Sequence, residues 1–193
     1  MEYPLLGTEP LVVEFANTRY DDRGEILDYL ASAELLNGWF SSYAELHGEA
    51  DATGSAARPV VVPARDAGRV RDFRDHAHRV LAALADGEHP GDESIAALND
   101  CAAQAHSSLQ LEWRPGADPV AVGNSSTTGT TRLLADLATD AITLAAGPDE
   151  VVRCLGPNCR MLFVKTHPRR RFCDPSCGQR ARQARYYRRR TSK

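Results

Sequence analysis

Residues 154–177 read Cys154-Leu-Gly-Pro-Asn-Cys159-Arg-Met-Leu-Phe-Val-Lys-Thr-His-Pro-Arg-Arg-Arg-Phe-Cys173-Asp-Pro-Ser-Cys177. Four residues separate the first cysteine pair, three the second, and thirteen lie between the pairs. Four soft thiolates at clip spacing point to one zinc ion held by Cys154, Cys159, Cys173 and Cys177. A full set of thiolates leaves no position for a reactive water, so the expected metal is structural rather than catalytic. His167 could stand in for a cysteine, but it lies in a basic turn before Pro168. Gly156 and Pro157 turn the first pair into a knuckle. Asp174 suits an N-cap and Pro175 a first helical position, which puts Cys177 in the first turn of a helix and Cys173 just outside it. Met161–Val164 and Phe172–Cys173 are apolar segments joined by the basic turn 166–171, a pattern that predicts a β-hairpin. Knuckle, hairpin and helix together predict a treble-clef-like finger whose folding depends on metal, because residues 151–193 offer few apolar side chains.

Outward from the second clip runs Gly178-Gln179-Arg180-Ala-Arg182-Gln-Ala-Arg185-Tyr186-Tyr187-Arg188-Arg189-Arg190. On a helical wheel Cys177, Ala181 and Ala184 share the zinc-facing side, while Arg182, Arg185, Tyr186 and Arg189 cluster on another with Gln179 at its border. Small residues inward and guanidinium groups outward suit a helix that packs on a finger and offers bidentate donors to phosphate or guanine. Arg180, Arg190 and the turn Arg169, Arg170 and Arg171 complete the expected nucleic-acid contacts.

Charge divides the chain in the same place. Residues 151–193 hold 13 Lys or Arg and one acid, a net +12, whereas residues 1–150 carry 10 basic and 25 acidic residues, a net −15. The two parts are expected to meet different partners, the basic one duplex DNA. The competing reading of the basic run is a solvated tail, or one that docks on the acidic part. No run of 18 apolar residues occurs, and Met1-Glu-Tyr-Pro-Leu-Leu-Gly lacks the basic start and apolar run of a signal peptide, so the expectation is a cytoplasmic protein with no membrane partner.

Before the cysteines, apolar periodicity predicts a mainly helical domain over 1–150. A helix is expected over Thr8–Asn17, capped by Thr8 with Pro10 in its first turn, although Leu11–Phe15 also reads as a strand. Ser32 caps a second helix carrying Leu35, Leu36, Trp39, Phe40 and Tyr43, ending near Gly48. Residues 48–59 read as a surface loop. A third helix spans 64–86 and stops at Gly87. Asp92 caps a fourth with Ile95, Leu98, Ala102 and Ala105 inward. Alternation in Leu109–Arg114 and Val120–Val122 around Pro115–Pro119 predicts a small hairpin. A fifth helix over 127–146 buries Leu133, Leu134, Leu137, Ala141 and Leu144 and ends at Gly147-Pro148.

At the last cysteine the tetrad Cys177-Gly178-Gln179-Arg180 resembles that of the CGNR zinc-finger family, with Gln in place of Asn and Val164-Lys165-Thr166 in place of the acid and Ser that tend to follow the finger's Phe. Leu11-Val-Val-Glu-Phe15-Ala-Asn17-Thr18, with Leu35-Leu36-x-x-Trp39, is similar to the opening of the ABATE domain that precedes such fingers. The resemblance covers essentially the whole chain. It implies an ABATE-like, mainly α fold followed by the finger, in bacterial transcription regulators linked to stress.

Asn17, Thr18 and Arg19 close the apolar opening motif and either hydrogen-bond the fold or line a small-molecule pocket with Trp39 as an aromatic wall. Cys101 falls on an inward stripe, as a structural thiol does. His76 and His78 point in different directions and share no metal. No catalytic triad or phosphate-binding glycine loop is present, and no enzymatic activity is expected. The resulting expectation is a DNA-binding transcription regulator with a sensing N-terminal domain, acting as a homodimer or through a second contact because one finger buries little. Its rivals are an RNA binder that stacks bases on Phe172, Tyr186 and Tyr187, and a small-molecule-binding or enzymatic domain anchored by the finger.

Overall fold

The structure is a computed structural model that describes residues 3–22, 25–47 and 61–191. In chain order its elements are α1 (Leu11–Ala16), β1 (Arg19–Asp22), β2 (Glu25–Asp28), α2 (Ala33–His47), a 3₁₀ turn (Ala64–Asp66), α3 (Ala67–Asp86), α4 (Asp92–Ala102), β3 (Ser107–Glu112), β4 (Val120–Ser125), α5 (Gly129–Ala146), β5 (Val151–Arg153), β6 (Leu162–Val164) and α6 (Pro175–Thr191). Helix dominates, as expected, with three antiparallel ribbons pairing β1 with β2, β3 with β4 and β5 with β6. The stretch 48–59, expected as a loop, lies outside the described residues.

A six-residue helix has no stability of its own in water, so α1 exists because it is walled in. Val12, Val13, Phe15 and Ala16 are fully buried, against α3, α5 and β6. The Phe15 ring lies 5.9 Å from Trp39, 6.0 Å from Phe40 and 6.3 Å from Phe73, centroid to centroid, which ties α1 to α2 and α3. The Thr8 cap does not form. Pro10 holds the N-cap position and the Thr8 hydroxyl turns to Glu9 instead. Glu14 organises the approach from within the helix: its carboxylate accepts from the backbone N–H groups of Leu6 (2.9 Å) and Gly7 (2.7 Å). Burial pushes the Glu14 carboxyl above its ordinary value, and those two backbone donors oppose the rise.

Elsewhere the apolar stripes place the helices. Ser32 Oγ accepts from Leu35 N–H at 3.2 Å, the expected cap of α2, and α2 buries Leu36, Trp39 and Phe40. Gly87 ends α3 in the left-handed region at φ 69°, and α5 buries all five predicted residues. For α4 the stripe is turned by one position: Ser94 and Leu98 are buried while Ile95 is 37% exposed. Gly91, not Asp92, takes its N-cap position, and Ala105 falls beyond its end. The β3–β4 hairpin stands where alternation put it, with Leu111, Trp113 and Val120 exposed. The β1–β2 hairpin was not expected, because Arg19-Tyr-Asp-Asp and Glu-Ile-Leu-Asp28 carry too few apolar residues to alternate.

The finger's hairpin is a correction. Leu162–Val164 pairs with Val151–Arg153, in register Val151↔Val164, and not with residues 172–173. Val151, Leu162 and Val164 join the same buried core as α1 and α3, so burial selects this pairing. The returning segment is held by other means, among them Leu155 N–H donating to Arg171 O at 3.0 Å.

Candidate functional site

Between β5 and β6 the chain makes the knuckle, and after β6 it returns to the start of α6, so the four cysteines converge. Their sulfurs all lie within 4.8 Å of one another. Cys173 Sγ stands 3.7 Å from Cys159 Sγ and 3.6 Å from Cys177 Sγ. Tetrahedral zinc with Zn–S near 2.3 Å sets its sulfurs about 3.8 Å apart, so this donor set fits one structural zinc ion. The backbone N–H groups of Gly156 (3.4 Å) and Cys173 (3.3 Å) point at Cys154 Sγ, and the Arg180 guanidinium donates to Cys177 Sγ at 3.0 Å. Such donors orient thiolates and spread their charge.

Local sequence explains the shape. A Cβ on Gly156 would sit 2.8 Å from Cys177 Cβ, so only glycine lets the knuckle close on α6. Asn158 occupies the left-handed region at φ 59°, which asparagine tolerates better than most residues. Asp174 Oδ1 accepts from Ser176 N–H at 2.8 Å and starts α6 as expected. By themselves the sulfurs of Cys154, Cys159 and Cys173 share protons unevenly. Hydrogen bonds from Cys159 and Cys173 hold Cys154 down at about 2, while the same partnership pushes Cys159 up to about 12 and Cys173 well above the thiol range. A bound zinc ion supplies the positive charge that lets all four exist as thiolates together.

A family model described as "Putative stress-induced transcription regulator", ABATE, matches residues 9–148, and one described as "CGNR zinc finger" matches residues 151–190. The chain belongs to the ABATE family. A search of curated proteins gave no match. In this ABATE protein the tetrad at the last cysteine has a physical reading: Cys177 is a ligand, a Cβ on Gly178 would meet the Phe172 ring at 3.2 Å, and Arg180 lies on the ligand sulfur. Gln179 is exposed. Its family descriptions are regulatory and metal-binding, and among the described residues no helix is long and apolar enough to cross a membrane.

On α6 the ABATE chain presents Arg182, Arg185, Tyr186 and Arg189 around one shallow groove, with Ala181 and Ala184 half-buried on the inner side. Arg190 caps this face by donating to Tyr186 Oη at 3.0 Å with its guanidinium 5.4 Å from the ring centroid. Arg169 and Arg171 are exposed in the turn before the second clip. Two of the expected contacts have partners within the protein, Arg180 while still exposed. Arg180 faces the metal site, and Arg170 turns inward: it donates to Glu9 Oε1 (2.6 Å), Val164 O (2.9 Å) and Cys173 O (3.2 Å), and stacks 4.7 Å from the Phe163 centroid.

Of the cluster expected to line a ligand pocket, Asn17 and Arg19 both line a cleft beside α3, while Thr18 and Trp39 are not among its lining residues. Asn17 clamps β6, donating to Leu162 O and accepting from Leu162 N–H, both at 2.9 Å. Thr18 donates to Phe15 O and accepts from Arg74. Trp39 is fully buried in the core, its Nε1–H without a hydrogen-bond partner. Arg19 alone of the four is exposed, 3.4 Å from Asp75.

Sequence reasoning missed three buried ionic groups. Glu9 accepts from Val164 N–H at 2.7 Å as well as from Arg170. Arg74 makes a two-pronged pair with Asp28, both contacts 2.9 Å, and reaches Asp75 at 2.7 Å. Desolvation, the largest single effect, would raise the Asp28 carboxyl, but the Arg74 hydrogen bonds, the Leu30 backbone N–H and the charges of Arg74 and Arg19 together hold it below its ordinary value. The third is Glu14, whose available signal was an acid inside the apolar run Leu11-Val-Val-Glu-Phe15.

Proposed function

We propose that the protein regulates transcription by binding duplex DNA through α6, with residues 1–150 acting as the sensing part and 151–193 as the reading part. The observation that carries this reading is the exposed groove that Arg182, Arg185, Tyr186 and Arg189 share on a helix anchored by a cysteine ligand. Guanidinium groups there grip phosphates or guanine edges, Gln179 and Tyr186 add polar contacts, and Arg169, Arg171 and Arg190 touch the backbone. Three guanidiniums on one face and a small footprint favour a homodimer that doubles the contact area. The zinc cluster serves to fix the helix, not to react.

The test is fluorescence anisotropy of the zinc-loaded full chain with a random-sequence duplex at several salt concentrations, beside the Arg182→Ala/Arg185→Ala/Arg189→Ala triple variant. Releasing counterions from three phosphates contributes about 2.7 to the slope of log K against log salt, so the variant's slope should be shallower by about that amount. An unchanged slope sinks the assignment of this face. Tyr186 and Tyr187 are both exposed, 55% and 64%, so single-stranded RNA belongs in the same titration. Tighter binding of that RNA than of the duplex replaces DNA with RNA as partner.

A further inference from the structure

A cleft of about 400 Å³ opens between α3, the β1–β2 hairpin and the zinc knuckle. Five guanidiniums line it, those of Arg19, Arg74, Arg79, Arg153 and Arg160, and among its described lining residues the one carboxylate is Asp75. That carboxylate is already shared between Arg74 at 2.7 Å and Arg19 at 3.4 Å. Arg74 is further neutralised by Asp28, and Arg153 by Asp86, whose two oxygens lie 2.7 and 2.6 Å from its Nε and Nη2. Arg79 donates to neutral groups, His76 Nδ1 at 2.9 Å and Ser94 Oγ at 3.5 Å. Among the described residues Arg79 therefore meets no carboxylate, and it offers the cleft a guanidinium whose charge is not paired. The His78 ring, turned through Nδ1 to Ala16 O at 3.1 Å, adds a polar group. Tyr20, Ile26 and Met161 add apolar wall, and Ile26 is 63% exposed.

We propose that this cleft binds a small organic anion, a carboxylate or phosphate group carried on an apolar body about the size of one aromatic ring. Guanidinium forks match both oxyanions, and the volume lies at the low end for small-molecule sites. The oxyanion sits between Arg79 and Arg19, and the apolar body lies against Ile26 and Met161. This deepens the sensing role proposed for residues 1–150 by giving it a ligand class and a place. Arg153 and Arg160 flank Cys154 and Cys159, so an anion held there touches the segment that carries the first cysteine pair.

The experiment is isothermal titration calorimetry of the zinc-loaded full chain with benzoate, phenyl phosphate and inorganic phosphate, on the wild type and on Arg79→Ala, Arg19→Ala and Arg182→Ala. Both cleft arginines are exposed, so their loss leaves the core intact. Benzoate or phenyl phosphate should bind the wild type, and the preferred one names the oxyanion. Affinity should fall about tenfold to a hundredfold in Arg79→Ala and in Arg19→Ala, the loss expected for one charge-assisted hydrogen bond, and stay unchanged in Arg182→Ala. No binding of any probe, or binding indifferent to the two cleft variants, overturns the proposal. So does inorganic phosphate binding as tightly as phenyl phosphate, because no apolar body is then recognised. Repeating the duplex titration separates this inference from the reading it deepens. Probe binding that leaves duplex affinity unaltered keeps the cleft and removes the sensing role. Duplex affinity lost in Arg79→Ala with no probe binding makes the cleft a DNA-backbone contact instead.

Discussion

Changing Glu9 to Gln perturbs the contact that holds the N-terminal helices to the finger. Glu9 is 3% exposed and uses one oxygen for Val164 N–H and the other for Arg170, whose side chain is 19% exposed. Glutamine keeps the size and one carbonyl acceptor but removes the charge. Arg170 is then left with two backbone carbonyls and the Phe163 ring. Breaking one side of a buried pair costs about 3–5 kcal/mol, and the surviving carbonyls and residual exposure place E9Q near the low end, about 3 kcal/mol. For a chain of this size that lowers Tm by about 6–12 °C. Urea unfolding of the zinc-loaded protein reads it directly, with Arg170→Met and the double variant closing a cycle. The double variant should be more stable than the sum of the singles by about 2 kcal/mol, since it leaves no uncompensated charge. A loss below about 0.5 kcal/mol for E9Q, or strictly additive singles, would refute the argument.

Gly156→Ala forces a Cβ against Cys177 and should weaken zinc by about tenfold or more, measured by competition with a chromogenic chelator; unchanged affinity would mean the knuckle has room to shift. Chelation of the wild type should lower the melting temperature of the whole chain rather than abolish only the α6 signal in circular dichroism, because β5 and β6 lie in the main core. Burial holds the His78 imidazole below 6.5, so the folded state binds that proton less readily than the unfolded one. Its stabilising contribution is present above pH 6.5 and is lost as pH falls through the folded value, and His78→Gln should flatten urea midpoints across that window.

The zinc set was legible because cysteine spacing is chemistry written locally, and α6 because Asp174 and Pro175 mark its start. The long stripes of α3 and α5 were legible for the same reason. Pairing was not: Leu162–Val164 is equally apolar towards either neighbour, and only the depth of Val151 in the core decides between them. Asn17, 145 positions from Leu162, shows the general difficulty. A short polar side chain at the end of an apolar motif has the same sequence whether it meets a ligand or the backbone of another element. Arg170 shows the converse, since three adjacent arginines read alike although the middle one is turned inward.

Val151–Arg153 ends at the residue before the first cysteine, yet Val151 belongs to the interior built around α1. A finger that begins as a rib of its neighbour's interior is not a detachable cassette. Grafted onto another partner, it would bring Leu162 and Val164 without the Asn17 clamp and the Glu9 acceptor that receive them. In evolutionary terms the two matched segments should be inherited and lost together, and changes at positions 9, 17 and 170 should track one another.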